Sequence, residues 1–569
     1  MRLGLLTALL ASVLVAALSA LPAAATPGSR FPVAATGTLG VIATESPAAA
    51  RVGRAMLEDG GNAVDAAAAA VFALGVARPQ SCGIGGGGFM VVHTPDGESA
   101  ALDFRETAPA AIRPDTFTGG GLYETYTGHT TVGVPGTVAG MAAALKRYGT
   151  RTLSQAAKPA ERLARRGVTV APSLAAAARA NAQRLALFPA SAALWLPNGQ
   201  ARAAGTKVVQ PDLAATLGLI RRDGADAFYR GPIGRAIVAD MQQPRPELGD
   251  TGLLTLEDLA AYRAVWRQPI ETEFRGRTVI GMPPPTSGGV AIAQMLEILE
   301  GYDLDAPTVS LADRLHLVAE AQKLAFADRA WYLADPGFVP QPTARLISPE
   351  YAAQRRALID PDRAQSFSRG DALGGDTRPE ASTTHVSVID ADGMAVALTC
   401  TVEQEFGSAV VAPGTGILLN NELTDFGPAG TANEPAPGKR PRSSMAPTIV
   451  VRGDRPEVVA GAAGGVRIIM GVLQGVLNTV ELGMPLPEAV DTPRIDNRGG
   501  SDLEIEDARI DPAVLADLEA RGHRLTRLGE YSRLPRQQMA GMAEDGTMTA
   551  VSDPRTEQAS LAARSVERR

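Results

Sequence analysis

The stretch STTHVSVIDADGMAVALTCTV, Ser382 to Val402, decides how the rest of the chain is read. Thr384 to Asp390 and Met394 to Val402 are rich in β-branched residues and flank the turn Ala391-Asp392-Gly393, so the spacing predicts a β-hairpin. The residues just before it, Gly370 to Ala381, are polar, carry Gly, Asp and Pro, and read as an exposed segment. A threonine where such a segment meets a strand is most simply a strand former. Cutting the bond before Thr383, however, would put a hydroxyl and a new α-amino group on one residue. An α-amino group has a pKa near 7.7–8.0 and can accept the hydroxyl proton at neutral pH, so this residue would be a nucleophile carrying its own base.

Working outward, Leu39 to Ser46 reads as a strand entering a helix that starts at Ser46-Pro47. The turn Asp59 to Asn62 ends that helix, and the Ala-rich run Ala63 to Ala77 predicts a second one. A glycine-rich loop, Gly83 to Gly88, leads into a hairpin of Phe89 to His93 and Ser99 to Phe104 around Pro95 to Gly97. The middle third, from about Thr150 to Ser368, reads as mostly helical, as in RLHLVAEAQKLAFADRAWYL (Arg314 to Leu333). Strands are expected at Thr448 to Arg452 and Glu457 to Gly461, then helices at Val466 to Leu482 and within Asp511 to Gly522. Strands in runs, with no regular βαβ alternation, predict a layered α/β (α+β) fold with antiparallel sheets.

The 569 residues are 45% hydrophobic and 20% charged, enough to bury a large core. Length alone allows three or four domains or one large layered fold. The net charge of −7, with no dense basic run, argues against a nucleic-acid partner. Residues 1–25 combine Arg2, an apolar run to Leu21 and the small tail Ala23-Ala24-Ala25, which reads as a cleaved signal peptide and predicts a secreted or periplasmic protein with no stable membrane span. The two cysteines, Cys82 and Cys400, fit one disulfide or two buried thiols equally. His93, His129, His316, His385 and His523 have no metal-ligand spacing. Gly83 to Gly88 lacks the Lys-Ser/Thr of a phosphate-binding loop, and Ser287 sits in no Gly-x-Ser-x-Gly elbow. Neither a metal nor a cofactor is expected.

The segments GIGGGGFM (Gly83 to Met90), DFRETAP (Asp103 to Pro109), VPGTVAG (Val134 to Gly140), PPPTSGG (Pro283 to Gly289), TTHVSVID (Thr383 to Asp390), LLNNELTDF (Leu418 to Phe426), KRPRSSMAPT (Lys439 to Thr448), GAAGG (Gly461 to Gly465) and VSDPRT (Val551 to Thr556) follow one another along nearly the whole chain. In that order they resemble the γ-glutamyltranspeptidase family. The resemblance implies a four-layer αββα N-terminal-nucleophile hydrolase that cuts itself between Ser382 and Thr383. A large subunit, 26–382, and a small catalytic subunit, 383–569, would then form an intertwined heterodimer. Thr383 would attack the γ-amide of a donor such as glutathione, and water or an amino-acid or peptide acceptor would take the γ-glutamyl group from the ester.

Other roles follow from the same resemblance. The N–H groups of Gly464 and Gly465 would hold the oxyanion, and Thr401 would steady the nucleophile and its amino group. Arg105, with Ser443 and Ser444, would clamp the donor α-carboxylate. Asp425 and Glu422 would receive its α-ammonium. The sequence departs from the family pattern at Glu403, where transpeptidases commonly carry Asn, so the donor site gains a carboxylate. The stretch Gly427 to Gly438 is short compared with members that carry a lid loop, implying a more open groove and more hydrolysis relative to transfer. Alternatives are a glutaryl-cephalosporin-type acylase or a poly-γ-glutamate processing enzyme on the same fold, or a non-catalytic surface scaffold.

Overall fold

Side-chain alternation in the hairpin Ser382 to Val402 fixes the layering. Along the strand Ala395–Gln404, the small Ala395 and Ala397 face one apolar core while Val396, Leu398 and Cys400 face another, the period of two that a strand buried on both faces requires. The computed structural model describes residues 34–117, 126–243, 245, 248–367, 381–532, 535–557 and 563–566. The predicted signal peptide and the polar stretch before Ala381 lie outside the described residues.

In chain order the strands of the two large sheets are β1 (Ala35–Gly37), β2 (Gly40–Thr44), β3 (Gly87–His93), β4 (Ser99–Asp103), β5 (Val265–Arg267), β6 (Ile270–Phe274), β7 (Arg277–Gly281), β8 (Ala381–Asp390), β9 (Ala395–Gln404), β10 (Thr448–Arg452), β11 (Arg455–Ala463), β12 (Arg536–Met542), β13 (Met548–Ser552) and β14 (Ala563–Ser565). One seven-stranded sheet runs β1-β13-β12-β11-β10-β7-β6 and the other β14-β2-β8-β9-β3-β4-β5, and every named pairing within them is antiparallel. They stack face to face. Val41, Phe89 and Ala397 of one pack with Val459, Met539 and Ala550 of the other, and Ser387 on β8 donates across the gap to Val459 O and Gln538 O at 3.2 and 2.9 Å.

Helices cover both outer faces. Over the sheet of β8 and β9 lie α1 (Pro47–Glu58) and α2 (Ala63–Ala77), with α3 (Thr137–Tyr148), α4 (Leu153–Arg166) and α5 (Pro211–Asp223) packed around them. Ser46 caps α1, and Asn62 with Asp65 forms a capping box on α2. Alanines in α2 leave little side chain between helix and sheet, which permits close packing. Over the other sheet lie α6 (Gly288–Leu299), α7 (Leu311–Tyr332) and α8 (Arg467–Val476). This is the αββα sandwich.

Two sequence expectations gain detail. The middle third is mostly helical, as expected, but β5, β6 and β7 interrupt it and close an edge of each sheet. The alternation in Ile270–Phe274, one residue in and the next out, is too short to stand out beside long helices. The helix expected over Val466 to Leu482 is α8 followed by a π turn at Leu477–Glu481. Cys82 and Cys400 form a disulfide, Cα to Cα 5.5 Å, which resolves the alternative left open by their number.

Candidate active site

Thr383 sits near the start of β8, directly across the ladder from Thr401 on β9. One step further the register shifts, with Ala381 opposite Gln404, so β9 spends three residues where β8 spends two. Glu403, at φ 75°, takes up the extra residue. A bulge with a non-glycine residue in the left-handed region costs backbone energy and re-aims side chains, a recurrent device beside active sites. Around the junction the hydroxyls converge. Thr401 Oγ1 lies 3.3 Å from Thr383 Oγ1, donates to Ser382 O at 2.9 Å and accepts from Glu403 N at 2.8 Å.

The neighbouring motifs hold this arrangement. At Gly86 a Cβ would stand 2.0 Å from Thr401 O, so the glycine loop passes β9 at a distance no side chain permits. At Gly461, first of the GAAGG run, a Cβ would enter the His385 ring at 2.1 Å. His385 is fully buried, bonded to Thr399 and Ser387, and burial pushes its pKa down to about 3. It is a neutral spacer between the sheets rather than a base for Thr383.

A pocket opens on Thr383 and brings together Thr401, Glu403, Arg105, Glu422, Asp425, Ser443, Ser444, Gly464 and Gly465. Every predicted site residue except Ser382 therefore lines one cavity, and Ser382 adjoins it, its carbonyl bonded to Thr401. Gly464 and Gly465 both have positive φ, 143° and 57°, conformations glycine adopts without strain. They fall between the end of β11 and the start of α8.

Arg105, expected to clamp a donor carboxylate, already stands among acidic side chains. Its guanidinium, 1% exposed, contacts Glu422, lies 2.5 Å from Asp425 Oδ2 and 3.9 Å from Glu106, and donates to Pro441 O at 3.2 Å. The cation and the carboxylates expected to serve opposite ends of a donor thus form one ion-pair cluster. Asp103 is occupied elsewhere, by Arg267 and Arg440 at 2.7 and 2.9 Å. Burial opposes the Arg105 charge, but Glu422, Asp425 and Glu106 overcome it and hold the guanidinium above its ordinary range. Burial raises Glu422 to about 7, against the pull of Arg105. Burial and the neighbouring Glu422 hold Glu106 well above the carboxylate range.

The short loop Gly427 to Gly438 folds back on itself rather than over the pocket. Gly427 N donates to Asn433 O at 2.7 Å, and the Asn433 side chain bridges Asp425 O and Arg442 N. Among the described residues, none of this loop lines the pocket.

Over residues 49–563 the chain matches the family described as gamma-glutamyltranspeptidase. It belongs to that family. It is 40% identical over 535 residues to a glutathione hydrolase proenzyme of Escherichia coli (strain K12), covering 91% of this chain and 90% of the relative. It is 42% identical over 510 residues to an acylase ACY 1 proenzyme of Pseudomonas sp. (strain V22), covering 87% and 88%. The crystal structure of a cephalosporin acylase from Bacillus halodurans superposes with a TM-score of 0.86 at 29% identity, covering 96% of this chain and 99% of that one. Fold and family are those of N-terminal-nucleophile hydrolases, and the scaffold alternative falls away.

Within this gamma-glutamyltranspeptidase framework, four further arginines, Arg329, Arg442, Arg467 and Arg498, line the pocket and were not legible in sequence. Arg329, on the inner side of α7, donates to Ser444 Oγ and Ser287 Oγ, both at 2.7 Å. Arg467 and Arg498 share Glu504. Nothing in a helical pattern separates an arginine that reaches a site from one that reaches solvent. Among the described residues, one trio could meet a cation: His316, Glu320 and His523. Its histidines bond each other at 2.9 Å, Glu320 pairs with Lys323 at 2.6 Å, and none of the three lines the pocket. No described helix is long and apolar enough to cross a membrane.

Proposed function

We propose that this chain is a self-processing γ-glutamyltransferase and glutathione hydrolase. In the precursor the Thr383 hydroxyl attacks the Ser382 carbonyl, the peptide N–C bond breaks, and water hydrolyses the resulting ester, leaving Thr383 with a free α-amine. That amine then accepts the hydroxyl proton as Thr383 Oγ1 attacks the γ-amide carbonyl of a donor. The Gly464 and Gly465 N–H groups face the developing oxyanion. The amine leaves with a proton, and water or an acceptor amine releases the γ-glutamyl group.

The observation that carries this reading is the company Thr383 keeps. Arg105 contacts Glu422 and Asp425, and Glu403 and the hydroxyls of Ser443 and Ser444 line the same cavity. A γ-glutamyl donor ends in a zwitterion, whose carboxylate and ammonium have opposite partners here. A glutaryl group has the carboxylate but no ammonium, and would bring no positive charge of its own to a cavity lined by Glu403, Glu422 and Asp425. The names of two relatives, a glutathione hydrolase and an acylase, set the test. Release of p-nitroaniline from γ-glutamyl-p-nitroanilide should exceed that from glutaryl-p-nitroanilide, and glutathione should be cleaved at its γ-amide. Preference for the glutaryl compound would move the assignment to an acylase.

A further inference from the structure

The disulfide Cys82–Cys400 spans 318 residues of sequence and joins the two sides of the Ser382–Thr383 bond. The residue next to each half-cystine touches that junction. Ser81 Oγ lies 2.7 Å from Ser382 Oγ, and Thr401 donates to Ser382 O at 2.9 Å. One neighbour of the bridge therefore holds the side chain of the scissile residue, and the other holds its carbonyl. Ser81, Cys82, Ser382, Thr383, Cys400 and Thr401 are all buried, and Cys400 pairs with Thr384 on β8 and Gly88 on β3. Ser81 to Gly86 is a loop without helix or strand, so the bridge is a covalent fastening of that loop to β9.

We propose that the Cys82–Cys400 disulfide is a brace for self-processing: it sets Ser81 and Thr401 against Ser382 and remains, after cleavage, as a covalent tether between the two subunits. The inference rests on the self-processing reading above. Forming the brace removes two electrons and two protons from two thiols and passes them to a disulfide oxidant, which becomes a pair of thiols. A chain with reduced cysteines is then a slow precursor, and activation follows oxidation. Ser81 acts as a positioning residue through Ser382. Loosening a reacting group by about 1 Å costs up to about a hundredfold in rate.

The test is cell-free synthesis of the full chain in glutathione disulfide or in dithiothreitol. The readouts are thiol counting by maleimide mass-tagging in denaturant, and processing followed on reducing gels. Expected for the oxidised wild type are no reactive thiols, conversion to two fragments on a reducing gel, and a single band without reductant. The reduced wild type and Cys82→Ser/Cys400→Ser should process about ten- to a hundredfold more slowly, the double variant equally slowly in both media. Ser81→Ala, with its disulfide intact and its melting transition unchanged, should also be slow. Reactive thiols in the oxidised chain, two bands without reductant, or a rate indifferent to oxidation overturns the brace. If the reduced chain fails to fold, Ser81→Ala decides, and wild-type processing there overturns it as well. An oxidised wild type that stays uncut removes the self-processing reading and the brace with it, whereas a cut chain indifferent to oxidation and to Ser81→Ala removes the brace alone.

Discussion

Replacing Thr401 by Val keeps the side-chain volume and deletes one hydroxyl. In the folded chain that hydroxyl donates to Ser382 O at 2.9 Å, accepts from Glu403 N at 2.8 Å and lies 3.3 Å from Thr383 Oγ1. Thr401 is buried, so its backbone partners each lose a hydrogen bond that water does not readily replace, at about 1–3 kcal/mol apiece in stability. The larger effect falls on chemistry. Ser382 O is the atom that becomes the oxyanion when Thr383 attacks, and removing one oxyanion donor costs about 2.7–4 kcal/mol, or about 10²–10³ in rate. Purified Thr401→Val precursor should therefore convert to fragments about a hundredfold or more slowly than wild type on a reducing gel, while its melting curve stays cooperative. A folded Thr401→Val chain that cuts itself at the wild-type rate would refute the claim that this hydroxyl prepares the scissile carbonyl.

Further outcomes follow from the buried charges. Arg105→Gln removes the cation that contacts both Glu422 and Asp425. It should cost about 3–5 kcal/mol in urea unfolding and raise KM for a γ-glutamyl donor far more than it lowers kcat. Because burial holds Glu422 near 7, it is neutral below that pH and a poor partner for an ammonium. KM for γ-glutamyl-p-nitroanilide should fall as pH rises through about 7, and Glu422→Gln should flatten the profile. His129 lies between Asp250 at 2.6 Å and Asp240 at 3.0 Å. Burial lowers its pKa, but the two carboxylates outweigh burial and leave it raised. The stability this contributes is full below the unfolded histidine value of about 6.5 and is lost as pH rises through the raised folded value. Thermal scans across that window should show wild type declining and His129→Gln lacking the decline.

How far sequence carried the argument depended on whether a feature was local. The hairpin Ser382 to Val402 was legible because alternation, β-branching and the turn all lie within one stretch, and α2 emerged at its full length because Asn62 caps it where the alanines begin. The site residues were legible as motifs, since Thr383, Arg105 and the Gly464-Gly465 pair belong to segments whose order could be matched. Their mutual arrangement was not: Arg105 contacts residues more than three hundred positions away, and no spacing rule predicts that its carboxylate partners would gather on it. Arg329 was invisible for the same reason, as was the pairing of Cys82 with Cys400, which needs the glycine loop to lie along β9. The strand β5 was lost because it is short and pairs with the distant β4, and β6 and β7, which pair with each other across a tight turn, were lost because each is short beside the long helices around them.

The central claim is that Thr383 becomes a free N-terminus and acts through it. Intact-mass measurement with N-terminal sequencing of the purified protein, beside Thr383→Ala, tests this most directly. The account predicts a fragment from Thr383 to Arg569 in the wild type and none in the variant. An active wild-type protein whose chain stays uncut at Ser382–Thr383, or a variant cut at the same bond, would contradict it.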